Sequence, residues 1–184
     1  SIMRSIPNMT VFCPGDPFET EELIKRSYEH FGPVYIRLGK NGEPIIHKNK
    51  NRIEIGEIIS LTEGDDLILM TTSNTLELGK SWVDDWKQEG IHVNLVSVPT
   101  IKPINQSMIR KLIDRNIPII TLEEHSIIGG LGSTISEIIA ESGKSVKFKR
   151  MGINDEFSHH VGGAEFQRKK LNILQKPKKS WFLK

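Results

Sequence analysis

A chain of 184 residues with 37% hydrophobic residues and a formal net charge of +2 can form one ordinary domain and a piece of another, which excludes a disordered chain. No apolar run reaches the roughly 18 to 20 residues of a membrane-spanning helix, so no membrane partner is predicted. No signal peptide opens the sequence, and its one cysteine, Cys13, excludes an internal disulfide; both features favour a cytoplasmic protein.

The first 40 residues predict a strand, a helix and a second strand. The segments are "NMTVFCPG", "PFETEELIKRSYEHFG" and "PVYIRLGK", and Pro17 with the acidic residues after it suits a first helical turn. A single βαβ unit cannot bury both faces of its sheet, so residues 1–40 are predicted to be the incomplete end of a larger α/β domain. Because the sequence opens on Ser1, we expect a fragment or a processed product.

Residues 41–65 are predicted to be a linker and a lead-in, because "NGEPIIHKNKNR" is polar, contains Gly and Pro and has no helical period. Residues 66–165 alternate apolar strands with amphipathic helices. The predicted strands are "DLILMTTS", "IHVNLVSV", "IPIITL" and "SVKFKRM", and the predicted helices lie in "TLELGKSWVDDWKQEG", "NQSMIRKLIDRN" and "GGLGSTISEII".

Two of these helices carry clear local signals. Trp82 and Trp86 lie four positions apart, a spacing more typical of helix-face packing than of a ligand platform. Asn105 is the predicted N-cap of the next helix. Strands alternating with helices imply right-handed crossovers, so the predicted fold class is α/β: a three-layer domain with a mostly parallel sheet, preceded by the remnant βαβ unit.

Residues 166–184 are predicted to be a basic tail. From position 168 onward, "RKKLNILQKPKKSWFLK" contains seven Lys and Arg residues and no acidic residue. Such a segment can contact nucleic acid, but no aromatic-rich basic sheet or groove accompanies it. We therefore favour a solvated terminus and predict no nucleic-acid partner.

The stretch "TLEEHSIIGGLGSTISEII" has the outline of a nucleotide-phosphate loop, since a glycine-rich turn leads from a strand into a helix. Gly130 and Gly132 fit the dinucleotide fingerprint, but position 135 is isoleucine and no acidic residue ends the next strand. Thr134 and Glu137 have the spacing of a capping box. We therefore favour a tight, closely packed turn over a nucleotide site.

Three histidines are weaker candidates for chemistry. His159 and His160 are adjacent and have acidic neighbours, but adjacent side chains on a strand point apart and no further ligand completes a metal set, so an exposed turn is favoured. His125 follows two glutamates at the end of a strand, which is a position for a general base. A loop near a subunit interface is the favoured interpretation of His125.

Several segments together resemble the transketolase family. The stretch "MRSIPNMTVFCPGDPFETEELIK…GPVYIRLGK" is similar to the end of its pyrimidine-binding domain. Four further stretches are similar, in order, to its C-terminal domain: "IEIGEIISLTEGDDLILMTTS", "GIHVNLVSVPTIKPIN", "TLEEHSIIGGLGSTISEII" and "GINDEFSHH". The resemblance covers about residues 2–163. It is strongest to split, two-subunit transketolases, and 1-deoxyxylulose-5-phosphate synthases are near relatives.

The resemblance implies an enzyme that uses thiamine diphosphate and Mg²⁺ to move two-carbon ketol units between sugar phosphates, as in the pentose phosphate pathway. The family's Gly-Asp-Gly…Asn metal motif is absent from this sequence, and so are the glutamate and the aromatic residue that contact the cofactor's aminopyrimidine. The resemblance therefore implies that this chain binds no cofactor by itself. It also implies a dimer and an N-terminal transketolase segment or subunit as the partner.

Two arginines are the predicted substrate-binding residues. Arg37 in "VYIRLGK" lies at the carboxyl end of a strand, where ligands of parallel sheets gather. In the family an arginine at this position binds the phosphate of the sugar, and a planar guanidinium can bind phosphate with two hydrogen bonds. Arg4 in "MRSIPN" matches an arginine that some relatives use for the same phosphate. We predict no catalytic, cofactor-binding or metal-binding residue in this chain.

Two alternatives remain open. Within the same enzyme class, the chain is similar to part of a 1-deoxyxylulose-5-phosphate synthase. Outside that class, the missing cofactor residues and the glycine loop are compatible with a non-catalytic assembly or regulatory module derived from such an enzyme.

Overall fold

Strands and helices alternate along almost the whole chain in a computed structural model that describes residues 1–39, 42–48 and 51–183. The strands are β1 (Thr10–Phe12), β2 (Val34–Ile36), β3 (Ile59–Ser60), β4 (Leu67–Thr71), β5 (Val93–Ser97), β6 (Thr100–Lys102), β7 (Ile119–Ser126) and β8 (Phe148–Ile153). The helices are α1 (Ile2–Ser5), α2 (Pro17–Glu29), α3 (Thr75–Gln88), α4 (Gln106–Asp114), α5 (Leu131–Ser142) and α6 (Ala164–Lys170), with a 3₁₀ turn at Lys179–Trp181. No helix within these ranges is long and apolar enough to cross a bilayer.

The larger sheet has five strands in the order β3-β5-β4-β7-β8. Neighbouring strands from β5 to β8 pair in parallel, and the short edge strand β3 pairs antiparallel with β5. The prediction of an α/β fold with a mostly parallel sheet is therefore confirmed.

Helices cover both faces of this sheet. Along β4 the side chains alternate: Ile68 and Met70 belong to the cluster with α4 and α5, whereas Leu67 and Leu69 belong to the cluster with α3. This alternation follows from the two-residue period of a strand, and it produces the predicted three layers. Burial of both sheet faces explains why the strands read as continuous apolar runs.

The local signals on α3 and α4 are confirmed. Trp82 and Trp86 are buried in the α3 cluster, with ring centroids 6.2 Å apart in an edge-on arrangement. The Asn105 side chain accepts a hydrogen bond from the backbone N–H of Met108, which caps the first turn of α4.

The smaller sheet joins the two halves of the chain. It has the order β2-β1-β6, and β1 pairs in parallel with β2, as the predicted βαβ unit requires. Its third strand, β6, follows β5 in the chain and pairs antiparallel with β1, with Phe12 opposite Thr100. The sequence did not indicate β6, because Thr100–Lys102 lies between Pro99 and Pro103, which are typical of a loop.

The predicted linker contributes to the folded structure where it is described. Residues 41, 49 and 50 lie outside the described residues. His47 is buried against α2, and β3 forms the edge of the larger sheet. The domain boundaries themselves stay a prediction.

The prediction of a solvated basic tail is wrong. Ile173 and Phe182 are buried in the α3 cluster. The ring of Phe182 lies edge-on to that of Trp86, with the ring centroids 5.3 Å apart. The Lys176 ammonium lies 2.6 Å from a carboxylate oxygen of Asp85 on α3. The number of basic residues led to the prediction of a solvated segment. The apolar residues between them cover α3, whereas the cationic groups remain near water.

Candidate functional site

The carboxyl ends of strands from both sheets converge on a cavity of about 360 Å³. It is lined by Cys13 after β1, by Arg37 after β2, and by Thr72 and Ser73 after β4. The last residues of β7, the glycine loop and α1 complete the wall. Ligands of parallel α/β sheets bind at this edge, and the volume suits a small metabolite. The candidate site is therefore an interface between the two parts of the chain.

Arg37 is fixed in the wall of this cavity. Its backbone N–H donates to the Phe12 carbonyl at 2.8 Å, and its Nη2 donates to the Glu124 carbonyl at 2.7 Å. Within the part of the chain that the structure describes, no carboxylate lies within salt-bridge distance of Arg37. A guanidinium without a carboxylate partner retains the charge and the donors that an anion needs.

Arg4 lines the same cavity but has a partner. It lies in α1, and its Nη1 donates to Glu137 Oε1 at 3.1 Å while Nη2 contacts the other oxygen of the same carboxylate. Lys102 Nζ donates to the Arg4 carbonyl at 3.0 Å and so holds α1 in place. The fold thus brings the two predicted substrate-binding arginines together, and their role stays a prediction.

The carboxylate of Glu123 binds the backbone at the glycine loop, where α5 begins. The two carboxylate oxygens of Glu123, on β7, each accept a hydrogen bond at 2.8 Å from the first N–H groups of α5, those of Leu131 and Gly132. Burial raises the pKa of Glu123, although these two hydrogen bonds oppose the shift. The helix N-terminus that would bind a phosphate is therefore already occupied by a carboxylate.

The capping-box prediction is wrong. Helix α5 begins at Leu131, so Thr134 lies inside the helix and its hydroxyl donates to the Gly130 carbonyl at 3.0 Å. Glu137 pairs with Arg4. The helix begins earlier than the local pattern indicates because its cap comes from the preceding strand rather than from its own first turn.

Both glycines of the loop are closely packed. A Cβ atom at Gly130 would lie 1.9 Å from Glu123 Oε2. A Cβ atom at Gly132 would lie 2.7 Å from Arg150 Cγ and 2.9 Å from Thr121 Oγ1. These distances agree with the packed-turn interpretation.

His125 and Cys13 are the other ionisable side chains in the cavity wall whose pKa is shifted. His125 Nδ1 lies 2.8 Å from the Ser126 carbonyl, and burial lowers its pKa, so the neutral ring is favoured. Burial raises the pKa of the Cys13 thiol to about 11, which leaves little thiolate at neutral pH. The interface role of His125 stays a prediction.

Neither the histidine pair nor the glycine loop is arranged to hold thiamine diphosphate or its metal ion. His159 and His160 are exposed in a segment without regular structure, and the described residues contain no group of three or more His, Cys, Asp or Glu side chains placed to hold a metal. The N-terminus of α5, which follows Gly129 and Gly130, is capped by Glu123.

A buried ionisable cluster was missed by sequence analysis. Asp16 caps α2 by accepting from the Glu19 N–H at 2.8 Å, and it also accepts from the backbone N–H groups of Ile46 and His47. Glu19 is fully buried, and its Oε2 accepts from the Gly15 N–H at 2.5 Å. "GDPFE" carries the helix-start signature of Asp, Pro and Glu, but nothing in the sequence pairs it with His47.

Comparisons with known proteins agree with this architecture. Residues 56–170 match the family model for the transketolase C-terminal domain, and residues 1–43 match that for the transketolase pyrimidine binding domain. A putative transketolase C-terminal section from Methanocaldococcus jannaschii is 39% identical over 159 residues, which are 85% of this chain and 49% of that relative. A 1-deoxy-D-xylulose-5-phosphate synthase from Shouchella clausii is 30% identical over 169 residues, 90% of this chain and 27% of that relative.

A solved structure described as a split gene transketolase, inactive beta4 tetramer, superposes with a TM-score of 0.86 at 31% identity. The match covers 94% of this chain and 56% of that one. The chain thus spans about half the length of the first of these relatives. Since a single C-terminal domain model accounts for the larger sheet and its helices, the chain belongs to the transketolase family.

Proposed function

We propose that the chain forms the C-terminal part of a thiamine-diphosphate-dependent transketolase, which transfers two-carbon ketol units between sugar phosphates and is not active without its other parts. The observation that carries this proposal is Arg37, a cavity-lining guanidinium with no carboxylate partner among the described residues. The chain's own task in the reaction is to bind the phosphate of the sugar.

The chemistry of the cavity supports a phosphate ester as the ligand. Arg37 offers donors in a fixed plane, and Arg4 adds to the same cavity a second guanidinium, whose Nη1 and Nη2 contact Glu137. Glu123 is already hydrogen-bonded to the start of α5. A sugar phosphate has one end that matches the arginines and hydroxyl groups that match the neutral polar wall at Thr72 and Ser73.

The cofactor belongs to the rest of the assembly in this proposal. When bound, thiamine diphosphate would supply the electron sink that two-carbon ketol transfer requires. Since the described residues of this chain form no metal cluster and its glycine loop is capped by Glu123, the proposal assigns the cofactor and Mg²⁺ to an N-terminal transketolase segment or subunit. Two similar proteins, one described as a putative transketolase C-terminal section and one as a split gene transketolase, support such a division. We propose a cytoplasmic dimeric assembly that acts in pentose phosphate metabolism.

The isolated chain tests the division of the cofactor site. A ligand that binds only the folded state stabilises it, so thiamine diphosphate with Mg²⁺ should leave the melting temperature of the isolated chain unchanged. A clear upward shift would show that the cofactor residues have been misassigned.

Arg37 tests the substrate role in the complete enzyme. Arg37→Ala should raise KM for sugar phosphates about tenfold, with little change in kcat, because it removes binding made equally in the ground and transition states. The KM for an unphosphorylated sugar should be unaffected. Arg52→Ala removes an exposed arginine outside this cavity and serves as the matched control. Unchanged KM values in Arg37→Ala would remove its assigned role.

A 1-deoxyxylulose-5-phosphate synthase is the second candidate, supported by the 30% identity to a protein of that name. The two activities differ in the donor, so products formed from a ketose phosphate or from pyruvate distinguish them. The third candidate, a non-catalytic module derived from the family, predicts no turnover with either donor after assembly with the N-terminal partner.

A further inference from the structure

Helix α6 reaches the wall of the candidate site through one ion pair. Arg168 Nε donates to Glu124 Oε2 at 2.5 Å, and only about a quarter of each side chain is exposed. Glu124 is also the residue whose carbonyl accepts the hydrogen bond from Arg37. One residue of β7 therefore links Arg168 on one side to Arg37 on the other.

The end of β7 is shaped for this double contact. Its pairing with β8 shifts register between Leu122 and Ser126, so the regular ladder is interrupted around Glu124. The interruption leaves the Glu124 carbonyl for the Arg37 guanidinium and directs its carboxylate to α6.

The ion pair between Arg168 and Glu124 matters because the Glu124 carboxylate could otherwise compete with a phosphate for Arg37. Glu124 lines the same cavity as Arg37. A free carboxylate beside a free guanidinium would pair with it, and the pair would offer a phosphate less net charge and fewer free donors. The field of an unpaired carboxylate would also oppose entry of an anion. Arg168 holds the Glu124 carboxylate and so leaves the Arg37 charge for the ligand.

The tail holds α6 where it can do this. A seven-residue helix is too short to be stable alone. The Arg168 carbonyl accepts a hydrogen bond from the Ile173 N–H at 2.9 Å, and the Ile173 side chain is buried in the α3 cluster. The packed tail thus anchors the residue that contacts Glu124.

We propose that Arg168 is a positioning residue of the anion site: by neutralising Glu124 it keeps Arg37 available for the phosphate group of the substrate. This inference rests on the proposed function in that the ligand is a sugar phosphate. It assigns to the basic tail a role in substrate affinity, exerted through another residue rather than by contact with the sugar.

The test uses the complete enzyme and two readouts: KM for the sugar phosphate and the inhibition constant of inorganic phosphate. Arg168→Gln should raise both about fivefold to tenfold and leave kcat nearly unchanged. Arg168→Lys keeps the positive charge and should retain most of the affinity. Lys169→Gln removes an exposed cation of the same helix and should change neither constant.

The double variant E124Q/R168Q separates charge competition from packing. Once the carboxylate is gone, Arg168 is no longer needed, so the double variant should recover phosphate affinity close to that of the unmodified enzyme. Weak binding in the double variant would show that Arg168 acts only by packing and would overturn the proposal. If Arg37→Ala raises KM but Arg168→Gln does not, this inference fails and the proposed function stands; if Arg37→Ala has no effect, both fail.

Discussion

The carboxylate of Asp16 accepts a hydrogen bond at 2.9 Å from Nδ1 of His47, 31 positions away, and both side chains are buried. This contact fixes the segment after residue 41 to the start of α2. Glu19 lies against the same imidazole, with its Oε1 3.4 Å from His47 Nε2. Three ionisable groups therefore share one buried site where the two parts of the chain meet.

The buried cluster makes stability depend on pH. Burial raises the pKa of Glu19 to about 7, so folding binds a proton that the unfolded chain releases near pH 4.5. Burial opposes protonation of His47, but the hydrogen bond to Asp16 and the charge of Glu19 raise its pKa. Both shifts favour the protonated folded state, so stability falls as the pH rises from about 5 to 8.

Glu19→Gln tests this pH dependence. The free energy of unfolding should fall on the order of 2 kcal/mol between pH 5 and pH 8 in the unmodified protein, and clearly less in the variant, whose side chain cannot ionise. Urea unfolding across this range measures both. Glu21→Gln changes an exposed residue of the same helix and should keep the original slope. Equal slopes for Glu19→Gln and the unmodified protein would contradict the assignment.

Asp16 should control how the free energy of unfolding changes at acidic pH. Burial disfavours its ionisation, but hydrogen bonds from His47 and three backbone N–H groups outweigh that effect and lower its pKa to about 2. Stability from Asp16 is therefore complete above about pH 4 and lost as the pH falls toward 2. In Asp16→Asn the difference in unfolding free energy from the unmodified protein should shrink over this acidic range. A difference that stays constant from pH 5 to pH 2 would contradict it.

Glu123 caps α5 from a neighbouring strand, and its removal should be costly. Glu123→Ala leaves the N–H groups of Leu131 and Gly132 without their carboxylate, so we expect a loss of about 2 kcal/mol in unfolding free energy. Glu123→Gln retains one acceptor oxygen and should lose less. Glu141→Ala, an exposed residue of α5, is the matched control for urea unfolding. Equal losses at positions 123 and 141 would exclude the capping role.

Phe182 tests whether the tail is part of the core. Its ring is buried against Trp86, so Phe182→Ala should cost about 3 kcal/mol through lost burial and the cavity left behind. Lys178→Ala, at an exposed position of the same tail, should be nearly neutral. Limited proteolysis provides a second measurement, since the tail of Phe182→Ala should be cleaved sooner. A Phe182→Ala protein as stable as the Lys178→Ala protein would show that the tail is not packed in solution.

Cys13 should react slowly despite lining the cavity. A thiol with a pKa of about 11 has roughly a hundredfold less thiolate at pH 8 than an ordinary cysteine. Alkylation by iodoacetamide should therefore be about a hundredfold slower in the native protein than after unfolding in urea. Equal rates would show that the side chain is neither buried nor shifted.

The sequence by itself determined the α/β class, the order of the main elements and several of their ends. These features depend on patterns within a few residues, such as the apolar runs of β4 and β7, the helical spacing of Trp82 and Trp86, and the cap at Asn105. Strand and helix periods are local properties, so they can be predicted without knowing where the rest of the chain lies.

Only the tertiary structure decided what surrounds each functional group. Arg37 contacts Glu124 across 87 positions, and Arg168 reaches the same glutamate across 44. The apolar residues of the tail, Ile173 and Phe182, are buried against α3, although the sequence around them is mainly basic. Contacts between residues so far apart in the sequence depend on how the strands and helices are arranged in the fold, and no window of neighbouring residues contains that arrangement.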